Sequence, residues 1–461
     1  MDMILIFFKR VFSLKKIISM RKKYAKKKGG NMRFQKEENT QIRFEKDGIY
    51  IMNSKYQTKE KITDIENEGK QFYKAIHSEE VKETAEIKKF IKKKFVVPLR
   101  SYEKEFEEKS LEHTSEPIYM TLGITSGCNY NCKHCGNNSE IVKDTDLKKN
   151  EIYKLLDQMV EIKLLKLNFT GGEPTTDPNL VDYIRYVKGR IPRITITTNG
   201  SLITEKKAKE LKEAGLNMAK ISIDGLSKFH NEFRNYEGAY EKAINAVKNF
   251  QKYGIEVRVQ STLTKYNRED LLKLMEVLSD LGISHQTIVP VCPIGRADKE
   301  MMLSKEEYKD FITQMYKKVI YLLEKGNKTN FQIRPVFGAR ELFDSLKTTF
   351  ETLSMKYSCE ALKNTMEIQP NGDVVPCSFL SVPIGNVRKN TLSEIWESDK
   401  SKEFRKLFDN NKDNEHCSKC NKSDLCNGGC IANKYYYYND FKAREPYCFV
   451  DQDWREICLK N

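Results

Sequence analysis

The feature that most constrains this chain is a group of three closely spaced cysteines. Cys128, Cys132 and Cys135 follow the spacing C-x3-C-x2-C within the stretch Leu122–Gly136, which reads LGITSGCNYNCKHCG. One loop with this spacing can direct three thiolates at a single [4Fe–4S] cluster and leave one iron open for an exchangeable ligand. The alternative is a zinc site, which would need a fourth cysteine or histidine. Because His134 lies between two cysteines, where its ring reaches poorly, the spacing favours iron–sulfur.

Chain length and charge exclude several classes of protein. With 461 residues the chain is long enough for two or three domains, and its 39% hydrophobic and 31% charged content is that of a soluble protein. The net charge is +15, but residues 1–31 hold ten Lys or Arg and one Asp. Most of the excess charge lies in this segment, so we expect no nucleic-acid partner for the mildly basic remainder.

The cysteines and the apolar runs indicate the cellular compartment of the protein and its relation to membranes. Twelve cysteines cluster at short spacings in a large chain, which indicates metal binding in a reducing, cytoplasmic compartment. No run approaches the ~18 apolar residues of a membrane span, so we expect no stable membrane association. Two interpretations of residues 1–31 remain open. In the first, they form a basic amphipathic extension. In the second, they are not translated, because Lys28–Met32 are the residues that a ribosome-binding site ahead of a start codon at Met32 would encode if it were read in frame.

Residues 33–97 are predicted to form a small domain, followed by a linker at 98–117. Ile42–Glu45 and Gly48–Ile51 predict a hairpin around an Asp-Gly turn. Two helices should follow, the second capped by Thr84 and carrying a Lys-rich face. This order resembles the winged-helix peptide-recognition domains that hold the leaders of precursor peptides. An ordinary α/β cap is the alternative.

From Ile118 onward the chain alternates between strands and amphipathic helices. The predicted strands lie at residues 119–125, 165–169, 193–198, 218–223, 256–263 and 285–290. Six strands at this spacing predict an α/β fold, in which a parallel sheet closes partway into a TIM-like (β/α)6 barrel. Binding sites in such sheets form at the carboxyl ends of the strands. Residues 300–350 are predicted to be mostly helical.

Short motifs follow several of these strands. Gly171–Pro174 (GGEP) comes after the second strand, Thr197–Gly200 (TTNG) after the third, Ser222–Gly225 (SIDG) after the fourth and Pro293–Ala297 (PIGRA) after the sixth. Together with the cysteine loop, this series resembles the radical S-adenosylmethionine (SAM) enzymes. The resemblance implies that SAM binds the open iron through its amino and carboxylate groups. The SAM-binding residues that it implies are Gly171, Gly172, Glu173, Pro174, Asn199, Ser222, Asp224 and Arg234.

Some residues of this region have alternative interpretations. His134 stands where the family most often has an aromatic residue. His230, in the run FHNEFR, is either a residue of the site or a helix-surface residue. Gln260, Thr262 and Asn267 also match the family, without a defined role.

A second group of cysteines occupies the C-terminal region. Cys359 and Cys377 flank Gly372 as C-x12-G-x4-C around a predicted hairpin turn, and five more follow as C-x2-C-x5-C-x3-C-x17-C. This pattern resembles the SPASM extension, which carries auxiliary [4Fe–4S] clusters in radical SAM enzymes that act mainly on peptides and proteins. The resemblance implies one auxiliary cluster on Cys417, Cys420, Cys426 and Cys448, and another on Cys359, Cys377 and Cys430. Zinc is again the alternative.

The cluster on Cys359, Cys377 and Cys430 would lack one ligand. Family members often carry a further cysteine shortly before the first, but Phe350–Met355 contains none. Cys292 and Cys458 are the cysteines left over. Either one supplies the missing ligand, or each is a small buried residue.

These resemblances imply a radical SAM core at 118–345 and a SPASM domain at 350–461, with three [4Fe–4S] clusters in all. We expect an oxidoreductase in which a 5′-deoxyadenosyl radical modifies a ribosomally made precursor peptide bound by its leader, forming a cross-link such as a thioether. A one-electron reductant such as flavodoxin or ferredoxin would be its other partner. The alternatives are a sulfatase-type maturase, a haem- or cofactor-pathway enzyme, and a non-catalytic iron–sulfur carrier. No catalytic side chain is assigned.

Overall fold

In the computed structural model, the chain divides into two compact units, residues 1–44 with 48–109 and residues 45–47 with 110–461. The structure describes residues 32–36, 40–45, 48–53, 58–62, 80–81, 96–98, 114–140, 142–334, 359–409, 414–420 and 428–448. The N-terminal segment 1–31, the helices predicted before residue 98, Cys426 and Cys458 lie outside the described residues. No helix within the described ranges is long and apolar enough to span a membrane.

Before residue 99, the described residues form six short strands. They are β1 (Met32–Lys36), β2 (Thr40–Glu45), β3 (Gly48–Asn53), β4 (Thr58–Ile62), β5 (Glu80–Val81) and β6 (Val96–Pro98). One sheet has the antiparallel order β5-β1-β6, and a second sheet has the order β2-β3-β4. The neighbouring strands β2 and β3 lie on either side of Asp47, where the sequence predicts the turn of a hairpin.

The second unit is built on one sheet of ten strands. They are β7 (Tyr119–Gly123), β8 (Lys166–Thr170), β9 (Arg193–Thr198), β10 (Met218–Ser222), β11 (Glu256–Leu263), β12 (His285–Pro290), β13 (Asn330–Ile333), β14 (Thr365–Ile368), β15 (Asp373–Val375) and β16 (Gly385–Asn386). Their order is β13-β12-β11-β10-β9-β8-β7-β14-β15-β16, and all neighbours from β13 to β14 are parallel. The two ends of the sheet do not meet, which confirms a barrel that is only partly closed.

Eleven α-helices are described. They are α1 (Lys149–Glu161), α2 (Leu180–Val187), α3 (Glu205–Ala214), α4 (Ser227–Arg234), α5 (Ala239–Lys252), α6 (Arg268–Asp280), α7 (Lys305–Glu324), α8 (Leu392–Trp396), α9 (Asp399–Asp409), α10 (Glu415–Ser418) and α11 (Ile431–Tyr438). Local chemistry sets their ends: the Thr204 hydroxyl accepts a hydrogen bond from the backbone N–H of Lys207, and α3 stops at Gly215, which has a φ of 117°.

The two faces of the central strands differ in character. Alternate residues such as Ala219, Ile221 and Val259 are buried in the hydrophobic core that the helices share. Their neighbours in sequence, including Lys220 and Ser222 of β10, are only partly buried. Because side chains alternate between the faces of a strand, one side of the sheet is apolar and fully buried while the other is polar and in part accessible. We call the second side the polar face.

The structure places strands at all six predicted positions and adds four more to the sheet, β13 to β16, of which β14 and β15 flank the predicted hairpin turn. β13 lies in the region that is predicted to be mostly helical. Its alternating pattern is only four residues long, which is too short to stand out in the sequence. β14 pairs in parallel with β7, with Thr365 opposite Tyr119. The C-terminal, cysteine-rich region therefore extends the sheet of the core. The predicted Pro-Asn-Gly-Asp turn joins β14 to antiparallel β15, and its Gly372 has a φ of 86°.

Candidate active site

Three thiols converge in the loop that follows β7. Cys128, Cys132 and Cys135 belong to one small cluster with Tyr130, and only Cys132 is fully buried. Burial, with the nearby Glu173 and the two other thiols, raises the pKa of the Cys128 thiol to about 11, against an opposing hydrogen bond from the backbone N–H of Tyr130. Three soft sulfur donors on one loop suit a cationic iron–sulfur cluster, so the residues present fit this group.

The GGEP segment packs against the start of this loop. The N–H of Gly172 donates to the carbonyl of Thr125 at 2.7 Å, and the N–H of Glu173 donates to the carbonyl of Gly127 at 2.8 Å. A Cβ atom at Gly171 would lie 2.2 Å from the Thr125 oxygen, and one at Gly172 would lie 2.1 Å from the Gly127 oxygen. The close approach that requires these glycines is therefore made by the cysteine loop itself. Their contact with SAM stays a prediction.

The PIGRA segment holds the other end of the loop. The N–H of Arg296 donates to the carbonyl of Cys135 at 2.9 Å, and its Nε donates to the carbonyl of Cys132 at 2.8 Å. Gly295 has a φ of 64°, and a Cβ there would lie 2.3 Å from the Cys135 oxygen. Arg296 therefore orients the cysteine loop, a role that its motif alone did not reveal.

Glu173 is a buried carboxylate that ties three loops together. Its oxygens accept hydrogen bonds from the Thr198 hydroxyl at 2.6 Å and the backbone N–H of Asn199 at 2.7 Å, in addition to the N–H and hydroxyl of Thr175. Burial raises the pKa of Glu173, and these hydrogen bonds oppose the rise. The amide of Asn199 in turn donates to Asn129 of the cysteine loop at 3.0 Å. Pro174 is buried at the start of a 3-10 turn.

Asp224 and Arg234 form a buried ion pair beside Cys132. Nε and Nη2 of Arg234 lie 2.8 and 2.7 Å from Oδ2 of Asp224, and Nη1 lies 3.9 Å from the Cys132 sulfur. Burial alone would raise the pKa of Asp224, but Arg234, followed by His134 and His230, lowers it to about 2. The carboxylate therefore holds the guanidinium against the thiol. Ser222 lies two residues before Asp224, partly buried at the end of β10.

The two histidines of this region occupy aromatic and buried positions. The His134 ring stacks on Phe233 with centroids 3.9 Å apart and planes at 3°, and its Nε2 lies 3.5 Å from Asp224. Burial lowers the pKa of His134 to about 4. The Nδ1 of His230 accepts a hydrogen bond from the N–H of Asp224 at 3.0 Å, and this side chain is fully buried. The helix-surface interpretation of His230 is wrong, because its ring faces the Asp224 backbone.

Two further residues support the site: Asp146, which carried no signal in the sequence, and Asn267, which matched the family without a defined role. Asp146 accepts hydrogen bonds from the N–H and hydroxyl of Ser126 at 2.7 and 2.9 Å, although the two residues are 20 positions apart. Asn267 donates to the carbonyls of Asp224 and Thr262 at 2.7 and 2.8 Å, which gives this family-like residue a defined role. A cavity of about 540 Å³, lined in part by Cys128, opens beside the cysteine loop.

The second group of cysteines is partly described. Cys359, Cys377 and Cys430 pack against the main hydrophobic core, and burial, followed by Glu445, Cys377 and Cys359, raises the pKa of Cys430. Glu445 accepts a hydrogen bond from the N–H of Cys430 at 2.8 Å. Of the other predicted ligands, Cys417 is buried on α10, Cys420 follows it, and the Cys448 sulfur lies 3.4 Å from Nη2 of Arg444.

Comparison with known proteins identifies two domains in the chain. Residues 122–278 match the radical SAM superfamily, and residues 359–421 match the SPASM iron-sulfur cluster-binding domain. The chain contains a radical SAM domain followed by a SPASM domain. These domains imply [4Fe–4S] clusters and SAM as cofactors, as the cysteine patterns predict.

The proteins to which the chain is similar have names that indicate different substrates. The chain is 28% identical to the AdoMet-dependent heme synthase of Methanosarcina barkeri over 73% of this chain and 97% of that protein. It is 25% identical to the mycofactocin maturase MftC of Mycobacterium tuberculosis over 72% and 83%. Its fold matches that of SuiB from Streptococcus suis, solved with the precursor peptide SuiA, with a TM-score of 0.63, 20% identity, and coverage of 92% of this chain and 100% of that chain.

Proposed function

We propose that this protein is a radical SAM peptide maturase that forms a cross-link, of the thioether class, in a ribosomally made precursor peptide. The observation that carries the proposal is the extent of the match to SuiB. Residues 118–461 make up about three quarters of the chain, so coverage of 92% includes a large share of the residues before the radical SAM domain. SuiB was solved with a precursor peptide, and the relative MftC is a peptide maturase by name.

A second candidate function is a step in haem or cofactor synthesis. It is favoured by the AdoMet-dependent heme synthases, which are 28% and 29% identical to this chain. Their matches span 73% and 70% of this chain, less than the 92% that the match to SuiB covers. The additional N-terminal unit is the reason for ranking the peptide first.

When bound, the first cluster and SAM supply one electron and a 5′-deoxyadenosyl radical. In the proposed site, Cys128, Cys132 and Cys135 hold the cluster, and Arg296 keeps their loop in position. Arg234 places a positive charge beside the Cys132 thiolate. Glu173 and Asn199 join the GGEP and TTNG loops to the cysteine loop, at the carboxyl ends of the strands, and Ser222 marks the end of the polar face.

Anaerobic reaction of the reconstituted protein tests the proposal. The substrates are SAM, dithionite and a short peptide encoded beside the gene, and the products are followed by mass spectrometry. We expect the peptide to lose two hydrogen atoms, with a fragment pattern that places a cross-link. Conversion of Fe-coproporphyrin III to haem, with the peptide unchanged, would establish the second candidate instead.

A further inference from the structure

Two cationic side chains occupy neighbouring positions on the polar face. Lys220 on β10 lies beside Arg258 on β11 in the parallel register. Adjacent strands of a sheet are about 4.8 Å apart, so two like charges occupy neighbouring positions. Such pairs are unfavourable unless something of opposite charge lies between them.

The two carboxylates near these cations, Glu256 and Glu367, do not balance their positive charge. Glu256 accepts from Nε of Arg258 at 2.7 Å and is shared with Arg193. Glu367 on β14 accepts a hydrogen bond from the Ser378 hydroxyl, and burial raises the pKa of its carboxyl group to about 7. Glu367 is therefore only partly ionised at neutral pH, and Glu256 is already engaged by two arginines.

Lys220, unlike Arg258, has no hydrogen-bonding or ion-pair partner among the described residues. Burial, followed by the repulsion of Arg258 and Arg334, lowers the pKa of Lys220, and Glu367 opposes this. A lysine in such surroundings gains from an anion placed against it.

The position of Lys220 connects it to the site of the radical SAM domain. Lys220 and Ser222 point to the same face because they are two residues apart on one strand. At about 3.3 Å per residue, Lys220 lies about 7 Å deeper in the sheet than Ser222. It is thus about one side-chain layer below the carboxyl ends of the strands, where the cysteine loop and its supporting motifs meet.

We propose that Lys220, supported by Arg258, binds a carboxylate of the substrate on the polar face of the sheet. This inference rests on the proposed function, because it places the substrate on this face of the sheet. In a precursor peptide the carboxylate is an Asp or Glu side chain or the C-terminus. A tetrapyrrole with propionate groups offers the same chemistry.

Binding to the reconstituted, SAM-loaded protein under anaerobic conditions tests the proposal. The first probe is the fluorescein-labelled peptide encoded beside the gene, measured by anisotropy. Lys220→Met should raise its Kd about tenfold or more, because a charge-assisted hydrogen bond is lost, while Lys220→Arg should largely retain binding. The matched control is Lys248→Met, which makes the same change at an exposed position of α5.

Neutralised peptides identify the partner of Lys220. Each Asp and Glu is replaced in turn by Asn or Gln, and the C-terminus by an amide. One of these changes should weaken binding to the wild type about tenfold and have little further effect on Lys220→Met, as expected for two groups in contact. Equal affinity of wild type and Lys220→Met, or no coupled carboxylate, would overturn the proposal. Iron content verifies folding, and Lys220→Gln replaces Lys220→Met if the latter loses iron.

A second probe separates this inference from the proposed function. Coproporphyrin III and its tetramethyl ester differ only in their carboxylates, and their fluorescence reports binding. If only the acid binds, with a Kd that depends on Lys220, and the peptide neither binds nor reacts, the carboxylate site stands and the peptide maturase fails. If the peptide is modified but no probe depends on Lys220, the reverse holds.

Discussion

The two groups of cysteines lie in contrasting surroundings. Cys128, Cys132 and Cys135 follow a strand end, next to a cavity, and are held by polar contacts from other loops. Cys359, Cys377 and Cys430 pack against the main hydrophobic core, with the buried Glu445 as their polar neighbour. The first arrangement would leave one side of a cluster open to an exchangeable ligand, whereas the second places partly buried thiols against apolar side chains.

This difference shows how one sheet supports both groups. The first loop depends on backbone hydrogen bonds from Gly172, Glu173 and Arg296, which tolerate little added volume. The second group depends on apolar packing around β14, which is an extension of the same sheet. Mutations should therefore separate the two regions cleanly.

The largest effect is expected from removing the thiols of one group at a time. Replacing Cys128, Cys132 and Cys135 by Ala should abolish SAM cleavage, measured as 5′-deoxyadenosine after dithionite reduction, and remove about four of about 12 iron atoms per chain. The matched variant with Ala at Cys359, Cys377 and Cys430 should lose iron but keep uncoupled cleavage. Undiminished cleavage in the first variant would contradict the assignment.

A large effect is also expected from a single methyl group at Gly295. Gly295→Ala puts a Cβ against the carbonyl of Cys135 and should displace the loop, with loss of the first cluster's EPR signal. Gly254 has nearly the same φ, 65°, but its nearest neighbour is the flexible end of Lys212 at 4.0 Å. Gly254→Ala should therefore cost only about 1–2 kcal/mol for its backbone conformation, with the cluster intact. Equal iron content in both variants would refute this role for Gly295.

An intermediate effect is expected from Arg234. Arg234→Lys should retain the positive charge but lose the paired contacts of Nε and Nη2 with Asp224. We expect SAM cleavage to fall by about tenfold and the reduction potential of the first cluster to shift. Arg185→Lys makes the same change in a half-exposed pair with Asp182 and should leave both quantities unchanged. Potentiometric EPR measures the shift, and a potential equal to that of wild type would show that Arg234 does not act on the cluster.

The smallest effect concerns pH and the C-terminal group. Burial raises the pKa of Glu445 from 4.5 to about 7, so its protonated form favours the folded state at low pH. This contribution is present below the unfolded value and is lost as pH rises through 7. Glu445→Gln should therefore lose less thermal stability than wild type between pH 5.5 and pH 8, by about 2–4 °C. Glu403→Gln, at an exposed position of α9, is the control, and identical pH profiles for all three proteins would contradict the prediction.

Much of the polar network was beyond prediction because many of its partners are distant in sequence. Arg296 reaches the carbonyl of Cys132 across 164 positions, and Glu173 accepts from the N–H of Asn199 across 26. No periodicity or spacing encodes such contacts. They form only when several strand ends meet at one edge of the sheet.

The sequence by itself determined the features that depend on local chemistry. The spacing of Cys128, Cys132 and Cys135 lets one loop supply several thiols, and alternating apolar residues specify the six strands from β7 to β12. Only the tertiary structure decided that β14 joins β7 and that Lys220 stands unpaired on the polar face among the described residues. Pairing between remote strands depends on long-range packing, and the charge balance around a side chain depends on its neighbours in space.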